Sequence, residues 1–165
     1  MGMKFSILFV LVFLANSLLS AQNPADVAAV QASSALSGKP FGNCIAFDRL
    51  VTPPTVVAFK IPDGKVFIVK SLDWKATIPS RAGKTVIALF FAAVGGNVNG
   101  PSAIGVGQAD SEGTAGGSIV LPSGLVVREN QQLCVAIQMP GANQYFPADG
   151  VAHGFFAARN ENRSD

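Results

Sequence analysis

The sequence predicts an all-β fold, a two-sheet antiparallel sandwich or barrel preceded by a short N-terminal helix and a signal peptide. From Cys44 onward, short runs rich in Val, Ile and Phe alternate with turn residues, which is typical of many short strands. These runs are "CIAFDRL", "VVAFKI", "VFIVKSL", "TVIALFFAAV", "LCVAIQM" and "GFFAAR". Two words between runs, "IPDGKV" and "LPSGLV", contain the residues of hairpin turns at positions 62–64 and 122–124.

The N-terminal residues have the three parts of a secretory signal peptide. A basic start with Lys4 is followed by an apolar run and then by small residues in "SLLSAQ". The apolar run is about half as long as the roughly 20 residues that span a bilayer. We assign residues 1–21 to the signal peptide, with cleavage after Ala21 or alternatively after Ser17. This predicts a secreted or periplasmic protein with no membrane span after cleavage.

Residues 22–39 are expected to form a short helix, with a disordered leader as the alternative. Asn23 suits the N-cap, Pro24 the first helical position and Gly38 the C-terminal end. Residues 40–160 form the predicted sandwich domain, and residues 161–165 a disordered tail.

The chain has two cysteines, Cys44 and Cys134. In an exported chain, a pair of cysteines predicts a disulfide. Two buried free thiols are the alternative.

A Gly-rich stretch, "VGGNVNGPSAIGVGQADSEGTAGGS", separates the central strand runs. We interpret it as a mobile surface loop that contains one short strand at "AIGVG", because a structureless loop of this length is uncommon within a compact domain.

The word "FFAA" occurs twice, at residues 90–93 and 155–158. Neighbouring side chains of a strand point to opposite faces, so one Phe of each pair should enter the core and the other should lie on an outer face that needs cover. The repetition indicates either two similar halves or the chance recurrence of a short apolar word.

The C-terminal third consists of "LVVRENQQLCVAIQM" and then "QYFPADGVAHGFFAA". Its order of a strand, a polar "REN" turn, an amphipathic strand, an aromatic pair and a closing Gly-Phe-Phe strand resembles the C1q/TNF-like jelly-roll domains. Asn130 stands where that family usually has Gly. The resemblance implies a jelly roll, often a homotrimer, that binds other macromolecules without catalysis.

Several chemistries are disfavoured by composition. The chain has one histidine, His153, and a cysteine pair, which excludes a histidine-based or structural zinc site and implies no cofactor. A net charge of +2 without a basic patch gives no reason to expect nucleic acid. A Ser/His/Asp arrangement with His153 and Asp149 is formally possible, but their spacing carries no specific signal.

Candidate binding residues lie in and near "NQYFPADG": Asn143, Tyr145 and Asp149, with Trp74 next. Exposed aromatic side chains can stack on sugars or anchor a protein partner. For Trp74, core packing is the favoured interpretation and a surface role the alternative, whereas for Tyr145 a loop-pinning role is an equal alternative.

The loop "ADSEG" offers Asp110 and Glu112 as calcium ligands, although an ordinary solvated loop is the favoured interpretation.

These observations predict a secreted, non-enzymatic binding or structural module with an extracellular protein or glycan as partner, and with self-association as a further property. The alternatives are a small hydrolase of a surface polysaccharide and an adhesin-like assembly subunit.

Overall fold

The computed structural model describes residues 27–33, 44–52, 55–78, 82–97, 100–141, 145–146 and 148–159. The signal peptide, the C-terminal tail and the candidate residue Asn143 lie outside the described residues. The strands are β1 (Val27–Ala32), β2 (Ile45–Thr52), β3 (Thr55–Ala58), β4 (Lys65–Thr77), β5 (Thr85–Val94), β6 (Ala103–Gln108), β7 (Thr114–Arg128), β8 (Gln131–Gln138), β9 (Tyr145–Phe146) and β10 (Asp149–Ala158).

The strands are antiparallel throughout and follow the order β6-β5-β8-β2-β1-β10-β4-β7, with β3 added beside β2 and β9 beside β8. The two ends of this path, β6 and β7, contact each other, so the sheet is nearly closed. The strands form two layers, β8-β5-β6 and β1-β10-β4-β7, and β2 links them, because its residues 45–46 pair with β8 and its residues 47–50 pair with β1. Without β3 and β9, this order is the winding of an eight-stranded jelly roll. The predicted all-β, jelly-roll-like sandwich is confirmed.

The core lies between the two layers and is apolar. Its largest fully buried side chains come from both layers: Phe47, Phe67, Phe90, Ile45, Leu72 and Ile137. Along most of β4, buried and more exposed residues alternate, as expected for a strand that covers a core on one face, whereas residues 88–91 of β5 are buried on both faces.

The helix predicted within residues 22–39 is wrong for its described part, because residues Val27–Ala32 form strand β1. This strand pairs with β10 along its whole length and with β2 on its other side. Val30 and Ala32 are fully buried. Pairing on both sides satisfies the backbone hydrogen bonds, and this tertiary environment overrides the capping residues that favoured a helix.

The turn predicted at residues 62–64 is present, but it does not join a hairpin. The Lys65 N–H donates to the Pro62 carbonyl at 3.0 Å, and Gly64 has a φ of 71°. The strands on either side do not pair with each other, because β3 pairs with β2 whereas β4 pairs with β10 and β7. The turn therefore carries the chain from one part of the sandwich to another.

The hairpin predicted at residues 122–124 is wrong, because these residues lie within strand β7. The register shows that residues 121–124 bulge opposite the single residue Lys70 of β4. Gly124 has a φ of 78° there, and the Lys70 Nζ donates to the Pro122 carbonyl. The turn residues thus form a bulge inside a long strand.

The Gly-rich stretch contains the expected short strand, β6, but its later residues belong to β7 rather than to a mobile loop. The glycines surround Trp74, which is only 4% exposed. A Cβ at Gly105 would lie 2.6 Å from the Trp74 Nε1, and one at Gly107 would lie 3.0 Å from its Cη2. These glycines therefore leave room for the indole ring between β6 and β7.

Candidate binding surfaces

The outer face of the β1-β10-β4-β7 layer, here called the open face, carries an apolar row across all four strands. Val27, Phe155, Ile68 and Val126 are successive register partners on these strands. Val27 is 62% exposed and Val126 is 46% exposed, whereas Phe155 and Ile68 are half-buried. Val120 of β7, which is 73% exposed, extends the apolar surface. Aliphatic and aromatic groups thus remain in solvent across the width of a sheet.

A chain of three polar side chains lies beside the apolar row. The His153 Nε2 is 2.9 Å from the Asp73 Oδ2, and the Ser118 hydroxyl donates to the Asp73 Oδ1. The three residues come from β10, β4 and β7, so strand register brings them together. The carboxylate of Asp73 is thereby satisfied within the face.

This polar chain is not arranged as a hydrolytic triad. In such a triad the serine bonds to the histidine, which is in turn oriented by the carboxylate. Here the carboxylate of Asp73 lies between Ser118 and His153, on the middle one of three strands. The carboxylate that pairs with His153 is that of Asp73, not the Asp149 carboxylate considered from the sequence.

The predicted binding residues lie in different elements of the described structure. Tyr145 begins β9 and pairs with Gln138 of β8, whereas Asp149 begins β10 on the opposite layer. Trp74 lies in the core, in agreement with the favoured packing role, so its candidacy as a surface binding residue is wrong. Asn143 lies outside the described residues.

The candidate calcium ligand Asp110 holds the turn between β6 and β7. Its Oδ1 accepts hydrogen bonds from the backbone N–H groups of Glu112 and Thr114, both at 2.9 Å. Among the described residues, no group of three or more His, Cys, Asp or Glu side chains is placed to hold a metal ion.

The predicted disulfide between Cys44 and Cys134 is present, and the free-thiol alternative is wrong. It joins the residue before β2 to β8. The two cysteines form a buried cluster with Leu89, Phe91 and Ala136, here called the disulfide face.

We expected one Phe of each "FFAA" segment to enter the core, and this is confirmed for both segments. In β5, Phe90 belongs to the main core and Phe91 to the disulfide face. In β10, Phe156 packs against the main core, whereas Phe155 lies in the apolar row. One ring of each pair therefore packs in or against the main core and the other points to the opposite face of its strand, where Phe91 is buried and Phe155 is half-buried.

A cleft of ≈ 470 Å³ opens at one end of the sandwich. It is formed by parts of β2, the segment after β3, the end of β5 and the turn between β7 and β8. Its residues are Phe47, Asp48, Phe59, Lys60, Ile61, Ala93, Gly95, Gly96, Glu129, Asn130, Gln131, Gln132 and Leu133. Sequence analysis missed this site, because its residues are contributed by four separate segments.

The described residues contain no helix with the length and apolar character needed to cross a membrane. The disulfide fits an extracellular or otherwise non-cytoplasmic protein. A comparison of the chain with models of protein families gives no match, and a comparison with curated protein sequences gives none either.

Proposed function

We propose that this protein is an exported, non-enzymatic binding module that assembles with copies of itself through the open face. The observation that carries the proposal is the apolar row, whose outermost members Val27 and Val126 are 62% and 46% exposed. Removing apolar surface from water contributes roughly 25 cal/mol per Å², so covering this row would stabilise an assembly.

The polar groups of the open face are compatible with burial in such an assembly. Burying a polar group is costly unless its hydrogen bonds are made. The Asp73 carboxylate already accepts from Ser118 and contacts His153. At the edge of the same face, Asp149 lies opposite Lys75 in the register. The centre of the face therefore needs few new polar partners when it is covered.

A second copy of the chain is the occupant that we infer, and a homotrimer is the stoichiometry implied by the C1q/TNF-like resemblance. The jelly-roll strand order is the fold that this resemblance implies, while the resemblance itself rests on the C-terminal third of the chain. A closed homotrimer is built from head-to-tail contacts that join two different patches of neighbouring subunits, so the open face would supply at least one side of each contact.

Native mass spectrometry of the protein from the export compartment tests self-association and reports the signal-peptide cleavage site. We expect an oligomer for the natural chain and a monomer for Val126→Lys, with unchanged thermal unfolding of the monomeric unit. Val57→Lys is the matched control, because Val57 of β3 is 50% exposed and lies outside the open face. A monomeric natural chain, or equal dissociation by both variants, would overturn the proposal.

The partner that we propose is an extracellular protein or glycan, with Tyr145, Asp149 and Asn143 as its predicted contacts. The test is retention of Tyr145→Ala on a protein and glycan array. Loss of retention without a lower melting temperature supports the proposal. Unchanged retention contradicts the role of Tyr145.

A small hydrolase remains the second candidate, and one observation favours it. Asp48 and Glu129 line the same cleft, and glycoside hydrolysis uses two carboxyl groups on either side of the scissile bond. Each carboxylate has an arginine neighbour, Arg49 at 3.5 Å and Arg159 at 3.7 Å. Release of reducing ends from a polysaccharide by the natural chain, and not by Glu129→Gln, would establish hydrolysis.

A further inference from the structure

The cleft combines an apolar floor with a polar rim. Its floor contains four nearly buried side chains: Phe47, Ile61, Ala93 and Leu133. Ligand sites in proteins are typically clefts of about 300–1,000 Å³ with mostly apolar walls and a few polar groups. The cleft of ≈ 470 Å³ has this size, but its lining is more polar than apolar.

One wall of the cleft is the ring of Phe59, which its neighbours hold in place. The ring packs edge-on against Phe67 with centroids 5.3 Å apart and stacks on Phe156 at 6.2 Å. A fixed aromatic wall suits a ligand with an apolar ring face, because it offers a flat surface at low entropic cost.

The charges of the rim are balanced by the protein itself. Asp48 lies 3.5 Å from Arg49, and Glu129 lies 3.7 Å from Arg159. The remaining rim charge, Lys60, lies 4.0 Å from Asp63. Exposed pairs of this kind stabilise the fold little. They do cancel each other's field, so the rim attracts neither an anion nor a cation.

Three consecutive amide side chains, Asn130, Gln131 and Gln132, line the same rim. The Gln131 Oε1 accepts the Arg128 N–H at 2.9 Å, which fixes the orientation of this amide and leaves its NH₂ group as a donor. Amides supply both donors and acceptors without charge. Opposite them, Gly95 and Gly96 form a turn with no side chains to narrow the opening.

We propose that this cleft binds a neutral saccharide unit. A sugar ring has an apolar face for Phe59 and many hydroxyl groups for the amides of Asn130 and Gln132. Because the rim charges are paired, they give uronic acids and amino sugars no electrostatic advantage over neutral sugars. This inference concerns a site separate from the open face and does not depend on self-association.

The test is a titration of the mature protein with three neutral disaccharides as probes: cellobiose, lactose and N,N′-diacetylchitobiose. Backbone amide NMR shifts at millimolar sugar should change at residues 95–96 and 130–133 for at least one probe. The double variant Asn130→Ala/Gln132→Ala should bind that probe about tenfold more weakly, as expected for two lost hydrogen bonds. Both residues are exposed, so the variant should keep its fold.

Gln108→Ala is the matched control, because it removes an exposed amide of β6 that does not line the cleft. It should leave the affinity unchanged. The proposal is overturned if no probe shifts these residues, or if the shifts map elsewhere. Equal weakening by the control, or tighter binding of glucuronate or glucosamine than of the neutral sugars, would also overturn it. Native mass spectrometry of the same samples reads the oligomeric state separately.

Discussion

The sequence "FFAA" occurs in a strand on each outer face of the sandwich, but its outward-facing Phe is buried on one face and partly exposed on the other. On the disulfide face, Phe91 is only 5% exposed, next to Cys134 as its register partner on β8. On the open face, Phe155 is half-buried, and its neighbour Val27 is 62% exposed. An apolar side chain on an outer face is thus buried within the chain in one case and left partly in solvent in the other.

The difference shows that the alternation of side chains along a strand does not by itself determine whether an outward-facing residue is buried or exposed. Both Phe pairs have the same alternation, because both lie in strands. The surroundings of the two rings differ. Phe91 lies in a buried cluster with the disulfide, Leu89 and Ala136. Phe155 lies beside exposed aliphatic groups of neighbouring strands. We therefore expect the disulfide face to contribute to the stability of the monomer and the open face to association.

The largest effect should come from removing the disulfide. Cys44→Ala/Cys134→Ala frees a loop whose ends are 90 residues apart, and chain entropy predicts a loss of roughly 4–5 kcal/mol in the free energy of unfolding. Urea unfolding measures this loss. Association through the open face should persist under conditions where the variant is folded. An oligomer lost together with the disulfide would contradict the division between the two faces.

The second prediction compares the two outer rings directly. Phe91→Ala should lower the free energy of unfolding by about 3–5 kcal/mol, because it leaves a cavity in a buried cluster. Phe155→Ala should cost the monomer clearly less and should instead weaken association. Denaturant unfolding and sedimentation velocity on both variants provide the two readouts. Similar losses of stability would remove the contrast.

The third prediction concerns the contact between β6 and β7, where the Trp74 ring packs against glycines of both strands. Gly105→Ala places a methyl group 2.6 Å from the Trp74 Nε1, so the indole must shift. Overpacking of this kind typically costs about 1–3 kcal/mol. Thermal unfolding and the near-ultraviolet circular dichroism of the single Trp measure it. Ala103→Gly is the control, because it lies on the same strand as Gly105 and adds no group. Gly83→Ala would not serve, because Gly83 has a φ of 70° and an alanine there would strain the backbone.

The smallest effect should follow from Asp110→Ala in the turn that joins the two layers. The loss of two hydrogen bonds to backbone N–H groups should lower the free energy of unfolding by about 1–2 kcal/mol. Added calcium should not change the melting temperature of the natural chain, because the carboxylate serves the turn. A rise in the melting temperature of the natural chain on addition of calcium, absent from Asp110→Ala, would instead support a calcium site at this turn.

Much of the fold could be predicted because its signals are local. The Val-, Ile- and Phe-rich runs gave the central strands, and the export signal with two cysteines gave the disulfide. The strand β1 was missed, because its small residues form a strand only through pairing on both sides. The bulge at residues 121–124 carries the same residues as a turn, and only the register with Lys70 distinguishes the two.

The candidate sites were harder to predict, because they depend on contacts between distant segments. The chain of Ser118, Asp73 and His153 requires the register of three strands. The cleft combines residues from four segments that no local pattern connects. Of the glycines around Trp74, Gly105 and Gly107 were placed in the predicted short strand, but Gly116 and Gly117 were interpreted as part of a mobile loop. Composition does not reveal that their missing side chains make room for a ring.

The disulfide between Cys44 and Cys134 also determines what a single proteolytic cut does to the protein. The backbone from one cysteine to the other and the disulfide together form a covalent ring, which includes strands β2 to β7. A single cut anywhere in that ring leaves the two pieces joined. A nicked molecule would run as an intact chain on a non-reducing gel and would separate into two fragments only after reduction.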